Sequence, residues 1–452
     1  MGRTANRLGA RPGCLFLIAA GLVAGVSFAS IAIAPWSSIV ALDAGDGGRV
    51  SSTEVFPRAA AYSPHPPILI DGDAGFTAAN GVTRGSGTPS DPYVIEGWEI
   101  DASIATGISI ANTLAHAVIR NVSVSGGDLI YDGVLLDTVA NIVVEGGVFV
   151  GNGYGIVAYA SSAVTIANNE IANSLWEGIL VDSSSSVSVI GNDALFSAVY
   201  GIDVYMARDV EVRENVASFG EFAGINLLNV ERVLIGGNNV SSNNVLGIAL
   251  DFATDVTIGG NDLWDNDYGL DVLDSGNVIV RGNTIGTDTS DGVTVSSSSN
   301  VTFDSNTFIA NAGGLYAFLV TDMAVVHNAF EGNYLQAGDD SGTRTAWDGG
   351  YPAGGNYWSD YFGVDDCSGP DQDVCGDPDG IGDTPYVVDA DTLDRYPLMS
   401  PRGPDVAPRP GPGPATTLGF RTDIPPPLAP AEVLVPIRGL STAEPSGKAA
   451  RP

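Results

Sequence analysis

The sequence contains very little positive charge. Its 19 lysine and arginine residues face 53 aspartate and glutamate residues, which gives a formal net charge of −34 at pH 7. One lysine is present, Lys448, close to the C-terminal end. Because a nucleic-acid partner needs lysine and arginine to neutralise its phosphates, we exclude nucleic-acid binding. The acidity is compatible with a solvated surface, a salty medium or divalent-cation binding, and it does not choose among them.

The first 34 residues have the order that is typical of an export signal. Arg3, Arg7 and Arg11 precede an apolar stretch that runs from Cys14 to Ala34. This stretch has 21 residues, which is also enough to span a bilayer as a helix. Residues 1–34 are therefore a cleaved signal peptide or a retained membrane anchor, and the sequence leaves both open. Either one predicts an extracytoplasmic location, with membrane contact through this segment alone.

Cysteine is scarce as well, with three residues in the whole chain. Cys14 lies in the apolar N-terminal stretch, so Cys367 and Cys375 remain for the exported part. Two cysteines eight positions apart in an exported protein predict a local disulfide bond. A metal site on these thiols is the alternative, and it is disfavoured because no histidine lies close to them in sequence.

Helical periodicity is absent, and a repeat of 22–26 residues takes its place. Each repeat starts at a glycine; the ten are Gly107, Gly133, Gly155, Gly178, Gly201, Gly224, Gly247, Gly269, Gly292 and Gly314. Fourteen residues after each one stands an asparagine or, once, a glycine, namely Asn121, Gly147, Asn169, Asn192, Asn215, Asn238, Asn261, Asn283, Asn306 and Asn328. This offset never varies, so the length differences lie between each asparagine and the next glycine.

Each repeat contains three short segments in which apolar and polar residues alternate. In the repeat that begins at Gly247, the apolar positions include Ile248 and Leu250, then Val256 and Ile258. A period of two indicates β-strands, and three strands close one coil that stacks on the next at about 4.8 Å. The sequence therefore predicts an all-β protein, a right-handed three-sheet parallel β-helix. About 10–12 coils are expected within residues 68–400.

The recurrent asparagines have a structural explanation. A tight bend between the second and third strands tolerates left-handed backbone angles best at Asn or Gly, which accounts for Gly147. An inward amide can also bond the coils above and below, so we predict a buried ladder of these asparagines. Asn121, Asn239 and Asn300 occupy glycosylation sequons, but Asn121 is expected to be buried in the ladder.

Both ends of the helix can be predicted as well. Residues 93–100 reproduce an earlier coil in which Trp98 takes the ladder position, and a large apolar residue there suits a coil that caps the core. Residues 35–67 are predicted to be a linker. The Pro-rich residues 401–452 are predicted to be a disordered tail.

Two segments outside the repeat resemble those of a known family. Ahead of the ten repeats stand NGV at 80–82, GSGT at 85–88 and DPYVIEGW at 91–98. Behind them stand GGNYWSDY at 354–361 and GIGDTPY at 380–386. They are similar to segments of exported archaeal β-helix proteins, which look like the periplasmic copper-binding NosD family and its wider carbohydrate-binding and sugar-hydrolase group. The resemblance implies the fold and leaves the biochemistry open.

The NosD resemblance implies copper, which prefers clustered His, Met or Cys ligands. The three histidines, His65, His116 and His327, are dispersed along the chain. Met323 is close to His327 in sequence, but it takes an inward strand position and is expected in the core. An intrinsic copper site is therefore disfavoured, and copper delivery ranks third among the functions that we consider.

An acidic segment at residues 365–383 is the candidate for calcium. Asp377, Asp379 and Asp383 have the spacing i, i+2 and i+6 around turn glycines, like an abbreviated calcium loop. No glutamate follows at the position that would make this an EF-hand. We expect Ca²⁺ as the cofactor, and the alternative is a solvated acidic loop held by the Cys367–Cys375 disulfide.

The outward side of the first strand presents acids, amides and tyrosines. They stand two or four positions after the repeat glycines, at Tyr159, Asp182, Asp203, Tyr205, Asn226, Asp251 and Asp271. Sugars stack on aromatic rings and hydrogen-bond carboxylates and amides, so this side is a candidate site for a cell-surface or extracellular polysaccharide. A solvated strand carries the same residue types by default, and that alternative stays open.

Asp182 and Asp203 are also the candidates for catalysis. They are one coil and two positions apart, roughly 8 Å by strand geometry, a separation typical of inverting glycosidases. β-Helix enzymes that cleave polysaccharides also place Arg, Lys or His near their acids, whereas Arg208 and Arg213 belong to the next segment. We therefore expect an envelope-associated protein that binds glycans or acts as a surface scaffold, with polysaccharide cleavage as the alternative.

Overall fold

The computed structural model describes residues 62–401. The predicted signal or anchor at 1–34, including Cys14, lies outside the described residues, as do most of the linker at 35–67 and all but the first residue of the tail at 401–452. Within the described part, no helix is long and apolar enough to cross a membrane.

The described residues form a right-handed solenoid of about 11 turns. Each full turn contributes one strand to each of three sheets, which we number 1, 2 and 3 in the order in which the chain visits them after a repeat glycine. The sheets have 12, 12 and 13 strands. Equivalent strands of successive turns pair in parallel, as Ile156 with Ile179 and Ile179 with Ile202. The predicted three-sheet parallel β-helix is confirmed.

The strand bounds repeat from turn to turn. Sheet 1 consists of Ile68–Asp71, Ile108–Thr113, Val134–Val139, Ile156–Tyr159, Ile179–Asp182, Tyr200–Tyr205, Ala223–Leu228, Leu246–Asp251, Tyr268–Leu273, Asp291–Ser296, Gly313–Phe318 and Leu335–Asp340. Sheet 2 consists of Val82–Arg84, Tyr93–Glu96, Ala117–Arg120, Ile142–Glu145, Ser162–Ala167, Ser185–Ile190, Arg208–Arg213, Glu231–Gly236, Thr254–Gly259, Gly276–Arg281, Ser299–Asp304 and Thr321–Val326. Sheet 3 consists of Ser63–Pro64, Trp98–Asp101, Ser123–Ser125, Val148–Val150, Glu170–Ala172, Asp193–Leu195, Val216–Ser218, Asn239–Ser241, Asp262–Trp264, Thr284–Gly286, Thr307–Ile309, Ala329–Glu331 and Tyr357–Trp358. Two short hairpins, Cys367–Ser368 with Val374–Cys375 and Tyr386–Val387 with Leu393–Asp394, and the 3₁₀-helices Asp73–Gly75 and Ala78–Asn80 complete the elements.

The core runs along the helix axis. Ile248, Leu250, Val256 and Ile258 of one turn are buried, and the equivalent positions of most other turns are occupied by Val, Ile or Leu, with Ala, Met or Phe in a few of them. Because alternate residues point inward, each strand supplies apolar side chains without long apolar runs in the sequence. Truncating one of them, as in Ile258→Ala, removes packing on both neighbouring turns and should cost about 2–5 kcal/mol.

A first ladder of asparagines joins the bends between sheets 2 and 3. In Asn238 the side-chain oxygen accepts the Asn215 N–H at 2.9 Å, and the side-chain nitrogen donates to Val212 O and Asn261 Oδ1 at 2.9 Å each. The same pattern recurs in Asn169, Asn192, Asn215, Asn261, Asn283, Asn306 and Asn328. The predicted ladder is confirmed at every predicted asparagine except Asn121.

The prediction for Asn121 is wrong. The bend between sheets 1 and 2 is one residue longer in this turn, so the register moves by one position. Arg120 pairs with Glu145, which places Asn121 beside Gly146. Asn121 is exposed at a left-handed φ of 46°, and the buried Val122 takes the ladder position. The sequon at Asn121 therefore lies on the surface.

The ladder extends beyond the repeat into the GGNYWSDY segment. Asn356 Oδ1 accepts the backbone N–H and the side-chain N–H of Asn328, both at 3.0 Å. The Asn356 N–H donates at 2.7 Å to the Asp394 carboxylate, which also accepts the Trp358 indole N–H at 2.9 Å. Burial raises the pKa of Asp394 to about 6, although these hydrogen bonds lower it. This family-like segment is thus the C-terminal end of the ladder.

Aromatic rings close the core at both ends. At the C-terminal end, Phe308, Phe330, Trp358 and Tyr386 stack with centroid separations of 4.7, 4.4 and 4.2 Å. At the N-terminal end, Trp98 occupies the ladder position, as predicted, because its sheet-3 strand pairs in register with the next one. Its indole N–H donates to Gly81 O at 2.8 Å. Ser63–Pro64, at the end of the segment predicted as a linker, pairs with the Trp98 strand.

A second ladder joins the bends between sheets 3 and 1. Its positions follow the first ladder by five residues, and its members with carboxamide or carboxyl groups are Asn152, Asn243, Asn266, Asp288, Asn311 and Asn333. Ser174, Ser197 and Gly220 occupy the same position in the turns between. The sequence did not predict this ladder, although its constant offset from the first one was a usable signal.

Candidate functional site

Two columns of outward residues run along sheet 1. Tyr159, Asp182 and Tyr205 are direct neighbours on successive strands, and Leu228 and Asp251 continue the line. We call this line the Tyr159 column.

Two residues nearer the repeat glycine, a parallel line contains Leu180, Asp203, Asn226, Ala249 and Asp271. We call it the Asp203 column. The register therefore brings all seven predicted ligand-binding residues onto one side of the helix, and whether they bind a ligand stays a prediction.

Two polar residues of the Asp203 column are buried although they point away from the core. Asp203 and Asn226 are each 8% exposed, and the Asn226 side-chain N–H donates to Asp203 Oδ1 at 2.7 Å. Thr294 donates its hydroxyl to the Asp271 carboxylate one turn further on. Neighbouring side chains therefore cover the column instead of leaving it solvated, and we refer to this covered strip of sheet 1 as the groove, with the Asp203 column as its floor.

A third line of residues, immediately before the repeat glycines, borders this floor. It contains Glu177 and Tyr200 next to Asp203, and Tyr200 meets Phe222 edge-on at 5.8 Å between ring centroids. Burial raises the pKa of the Tyr200 phenol, and the charges of Asp203 and Glu177 raise it further. Glu177 was missed in the sequence because nothing in its spacing separates it from a solvated acid.

The acids of the groove hold their protons unusually well. Burial raises the pKa of Glu177 to about 8, and the charge of Asp203 adds to the effect. Burial raises the pKa of Asp203 to about 7, Asp182 raises it further, and the Asn226 hydrogen bond opposes the shift. Burial also raises the pKa of Asp251 to about 6, and the charges of Asp274 and Asp271 raise it further. One buried oxygen of Glu177 and one of Asp251 have no hydrogen-bond partner.

Among residues 62–401, which the structure describes, no basic residue lines the groove. Between Tyr154 and Asp291, none of the three outward lines of sheet 1 contains Lys, Arg or His. Arg208 and Arg213, the nearest cationic candidates in sequence, lie in sheet 2, as expected. Arg213 pairs there with the carboxylates of Glu211 and Glu214. The floor is therefore acidic without local compensation.

Two phenylalanines mark the bend between sheets 3 and 1 beside the groove. Phe196 and Phe219 are 46% and 40% exposed, and their rings stack with centroids 5.0 Å apart. Both have left-handed backbone angles, with φ of 56° and 61°. Equivalent positions in other turns contain Asn173 or Ser242, which tolerate this conformation more easily. These rings were missed because an isolated Phe in a repeat is indistinguishable from a core residue in sequence.

The acidic loop is organised by hydrogen bonds in this structure. Asp383 accepts the backbone N–H groups of Asp366 and Cys367 at 3.1 Å each, and Asp379 Oδ1 accepts that of Ile381 at 3.1 Å. Among the described residues, no three His, Cys, Asp or Glu side chains are grouped as a metal ion would require. Calcium at Asp377, Asp379 and Asp383 stays a prediction.

The predicted Cys367–Cys375 disulfide is formed and joins paired strands of a short hairpin in this loop. Its position ties the two ends of the segment 367–375 together, directly before the three aspartates.

The potential copper ligands remain apart. His65 lies beside Trp98 at the N-terminal end, and His327 Nδ1 lies 3.0 Å from Asp304 near the C-terminal end. Met323 is buried in the core, as expected from its strand position. The low rank that the sequence gives to copper stays a prediction.

Family models match two overlapping parts of the chain. Residues 198–363 match the family described as periplasmic copper-binding protein (NosD), and residues 78–217 match the right handed beta helix region. The chain is a right-handed parallel β-helix protein, and its resemblance to the NosD type is confirmed over these residues. Archaeal origin stays a prediction. No curated protein matches the chain.

Several solved structures are similar to this chain at low sequence identity. The A-module of the mannuronan C-5 epimerase AlgE6 of Azotobacter vinelandii has 17% identity and a TM-score of 0.51 over 58% of this chain and 87% of that module. A double mutant of the periplasmic alginate epimerase AlgG has 18% identity and a TM-score of 0.47 over 57% and 77%. PfbA, a surface adhesin of Streptococcus pneumoniae, has 12% identity and a TM-score of 0.40 over 57% and 85%.

Proposed function

We propose that the groove on sheet 1 binds a polysaccharide outside the cytoplasm. The observation that supports this most directly is the alignment of the Tyr159 and Asp203 columns, which puts rings and buried polar groups side by side. Tyr159 and Tyr205 are two turns apart, about 10 Å along the helix axis. Sugar rings stacked on them would meet Asp182 between the tyrosines and the Asp203–Asn226 pair alongside.

The charge of the groove selects the type of saccharide. Glu177, Asp182, Asp203, Asp251 and Asp271 line it without a cation that could pair with a polyuronate, and those of them that are ionised would repel one. The hydroxyls of a neutral chain can donate to these carboxyl groups, and an amine-bearing chain adds charge attraction to the ionised ones. We therefore propose a neutral or amino-sugar polymer as the ligand. This differs from the epimerase with the similar fold, which is named for mannuronan.

The extracytoplasmic location has independent support. The matching NosD family is described as periplasmic. The arginine-flanked apolar segment at residues 1–34 and the disulfide Cys367–Cys375 agree with export. A protein that presents a long rigid groove at the cell envelope would serve as a glycan-binding surface scaffold.

A glycan array with the purified protein tests the proposal. We expect binding to neutral or amino-sugar oligomers, lost in Tyr159→Ala/Tyr205→Ala and kept in Tyr334→Ala, which removes an exposed ring from outside the groove. Binding to polyuronates alone would contradict the charge argument. Binding that survives the double substitution would place the site elsewhere.

Hydrolysis of the bound chain is the second candidate function. Asp203 and Glu177 have pKa values of about 7 and 8, which suits general acids at neutral pH, and Asp182 lies one strand away from Asp203. Release of reducing ends from a bound glycan, abolished by Asp203→Asn with binding retained, would support it. A ligand that stays intact after prolonged incubation would leave binding as the function.

A further inference from the structure

The second ladder contains one acid where its neighbours have amides. In this ladder the Asn243 side-chain nitrogen donates to Ala217 O at 3.2 Å and to Asn266 Oδ1 at 3.1 Å. Asn311 repeats the pattern with Ile285 O at 3.1 Å and Asn333 Oδ1 at 3.0 Å. Each position thus needs one oxygen that accepts and one atom that donates.

Asp288 makes the hydrogen bond of this pattern in which a side-chain oxygen accepts. Its Oδ1 accepts the Asn266 N–H at 2.9 Å, and its own N–H donates to Asn311 Oδ1 at 3.0 Å. Its other oxygen, Oδ2, is buried and has no hydrogen-bond partner, and the residue as a whole is 3% exposed.

The unpartnered oxygen occupies the place of a donor. A methyl group built on Gly269 would lie 2.6 Å from Asp288 Oδ2, just as one built on Gly292 would lie 2.7 Å from the Asn311 side-chain nitrogen. The register also places the Leu263 carbonyl where Ile285 O stands for Asn311. Asp288 Oδ2 therefore faces two acceptors of the ladder, Leu263 O and Asn311 Oδ1. It can donate a hydrogen bond to them only when it carries a proton.

We propose that Asp288 completes the second ladder as a neutral carboxylic acid, with its Oδ2–H donating in place of an amide, so that this turn is locked only while the proton is bound. A protonated acid has one donor and one acceptor oxygen, the same arrangement as a carboxamide. A carboxylate at this position would direct two acceptors at acceptors in a buried site, which costs stability.

The surroundings keep the proton on Asp288. Burial raises its pKa to about 8; the Asn266 hydrogen bonds oppose the shift, and the charges of Asp265 and Asp267 on the preceding turn add to it. On sheet 1, Tyr268 precedes Gly269 and Asp291 starts the next strand; on the following bend, residues 310–312 are Ala-Asn-Ala. No cation in these flanking segments favours the ionised form.

The sign of the pH effect follows from the two pKa values. In the unfolded chain an aspartate ionises near pH 4, whereas in the fold it ionises near pH 8. Between these values the folded state binds one proton more, so the folding equilibrium constant falls about tenfold per pH unit. Above pH 8 both states are ionised and the contribution becomes constant.

Asp288→Asn in the full chain tests the proposal, because it supplies the amide that the neighbours have. We expect the folding constants of variant and wild type, from denaturant titrations, to converge at pH 4 and below. Their ratio should rise about tenfold per pH unit up to about pH 8 and then level off. A ratio that does not change with pH would overturn the proposal.

Two further measurements distinguish protonation of Asp288 from other causes of a pH-dependent folding constant. The infrared difference between wild type and Asp288→Asn at pH 6 should show the loss of a protonated carboxyl band, and loss of carboxylate bands instead would overturn the proposal. Adding Asn243→Asp to the variant moves the acid two turns along the same ladder. The double variant should regain the pH dependence of the folding constant. Replacing the exposed Asp265 by asparagine in the wild type should lower only the pH at which this dependence levels off.

Discussion

Replacing Asn238 by alanine is the most direct perturbation of the first ladder. Asn238 is 1% exposed and makes four side-chain hydrogen bonds. Alanine leaves the Asn215 backbone N–H without its partner in a buried bend and removes one hydrogen bond from the Val212 carbonyl. An unpaired buried group costs about 1–3 kcal/mol and a lost hydrogen bond about 1 kcal/mol, so we expect a loss of about 2–4 kcal/mol in the free energy of unfolding. The loss acts on one turn, but it weakens both contacts of that turn.

Equilibrium unfolding in denaturant measures this loss, with Asn239→Ala as the matched control. Asn239 is the next residue, half-buried on the outward side of sheet 3, and its side chain accepts only a local bond from Ser241 at 3.1 Å. Its replacement should cost less than about 1 kcal/mol. Hydrogen exchange should show faster exchange of the Asn215 amide in Asn238→Ala alone. An unchanged midpoint, or equal losses in the two variants, would refute the assignment of the ladder.

Three other predictions concern the groove and the acidic loop. Tyr159→Ala/Tyr205→Ala should abolish glycan binding while circular dichroism and the melting temperature stay close to the wild type, since both rings point outward; a parallel loss of folding would leave the site unsupported. Asp203→Asn should stabilise the protein at pH 8 but not at pH 3, because the folded-state pKa of about 7 lies above the unfolded value and stability is lost as the pH rises between them; equal stability of variant and wild type at pH 8 would contradict the buried, raised carboxyl. Millimolar calcium should raise the melting temperature, and Asp379→Asn/Asp383→Asn should erase the shift; absence of both a melting shift and calorimetric heat would leave the loop as a disulfide-linked cap.

Much of the architecture could be predicted because its signals are local and repeated. Period-two alternation defines the strands, and the fixed offset from glycine to asparagine defines the first ladder. Together they fix the register, which is why Tyr159, Asp182 and Tyr205 were predicted as neighbours and are neighbours in the structure. The disulfide between Cys367 and Cys375 was predictable for a similar reason, since a separation of eight residues leaves few alternatives.

The predictions that were wrong or missing depend on features that local, repeated patterns do not contain. One additional residue in a bend moved Asn121 out of the ladder, and a constant offset from the glycine could not reveal this. Asn356 was missed because 28 residues separate it from Asn328, beyond the repeat length. The second ladder was missed because its position accepts Asn, Asp, Ser and Gly alike. Burial of Asp203 depends on side chains of neighbouring turns, which a single strand does not encode.

This burial bears on whether the outward side of sheet 1 is a site or an ordinary solvated surface. For Asp203, a rise in pKa from about 4 to about 7 corresponds to roughly 4 kcal/mol of lost stability once the carboxyl is ionised. A solvated strand would avoid that loss by exposing the acid or by pairing it with one of the arginines that sheet 2 contains. Instead, Asn226 donates to Asp203 from one side, and the acidic Glu177 approaches from another. The two ladders and the continuous core hold the backbone independently of these side chains, so the fold can tolerate the strain of an uncompensated acidic groove. Under the proposed function, a bound saccharide would supply the hydrogen-bond partners that one buried oxygen of Glu177 and one of Asp251 lack.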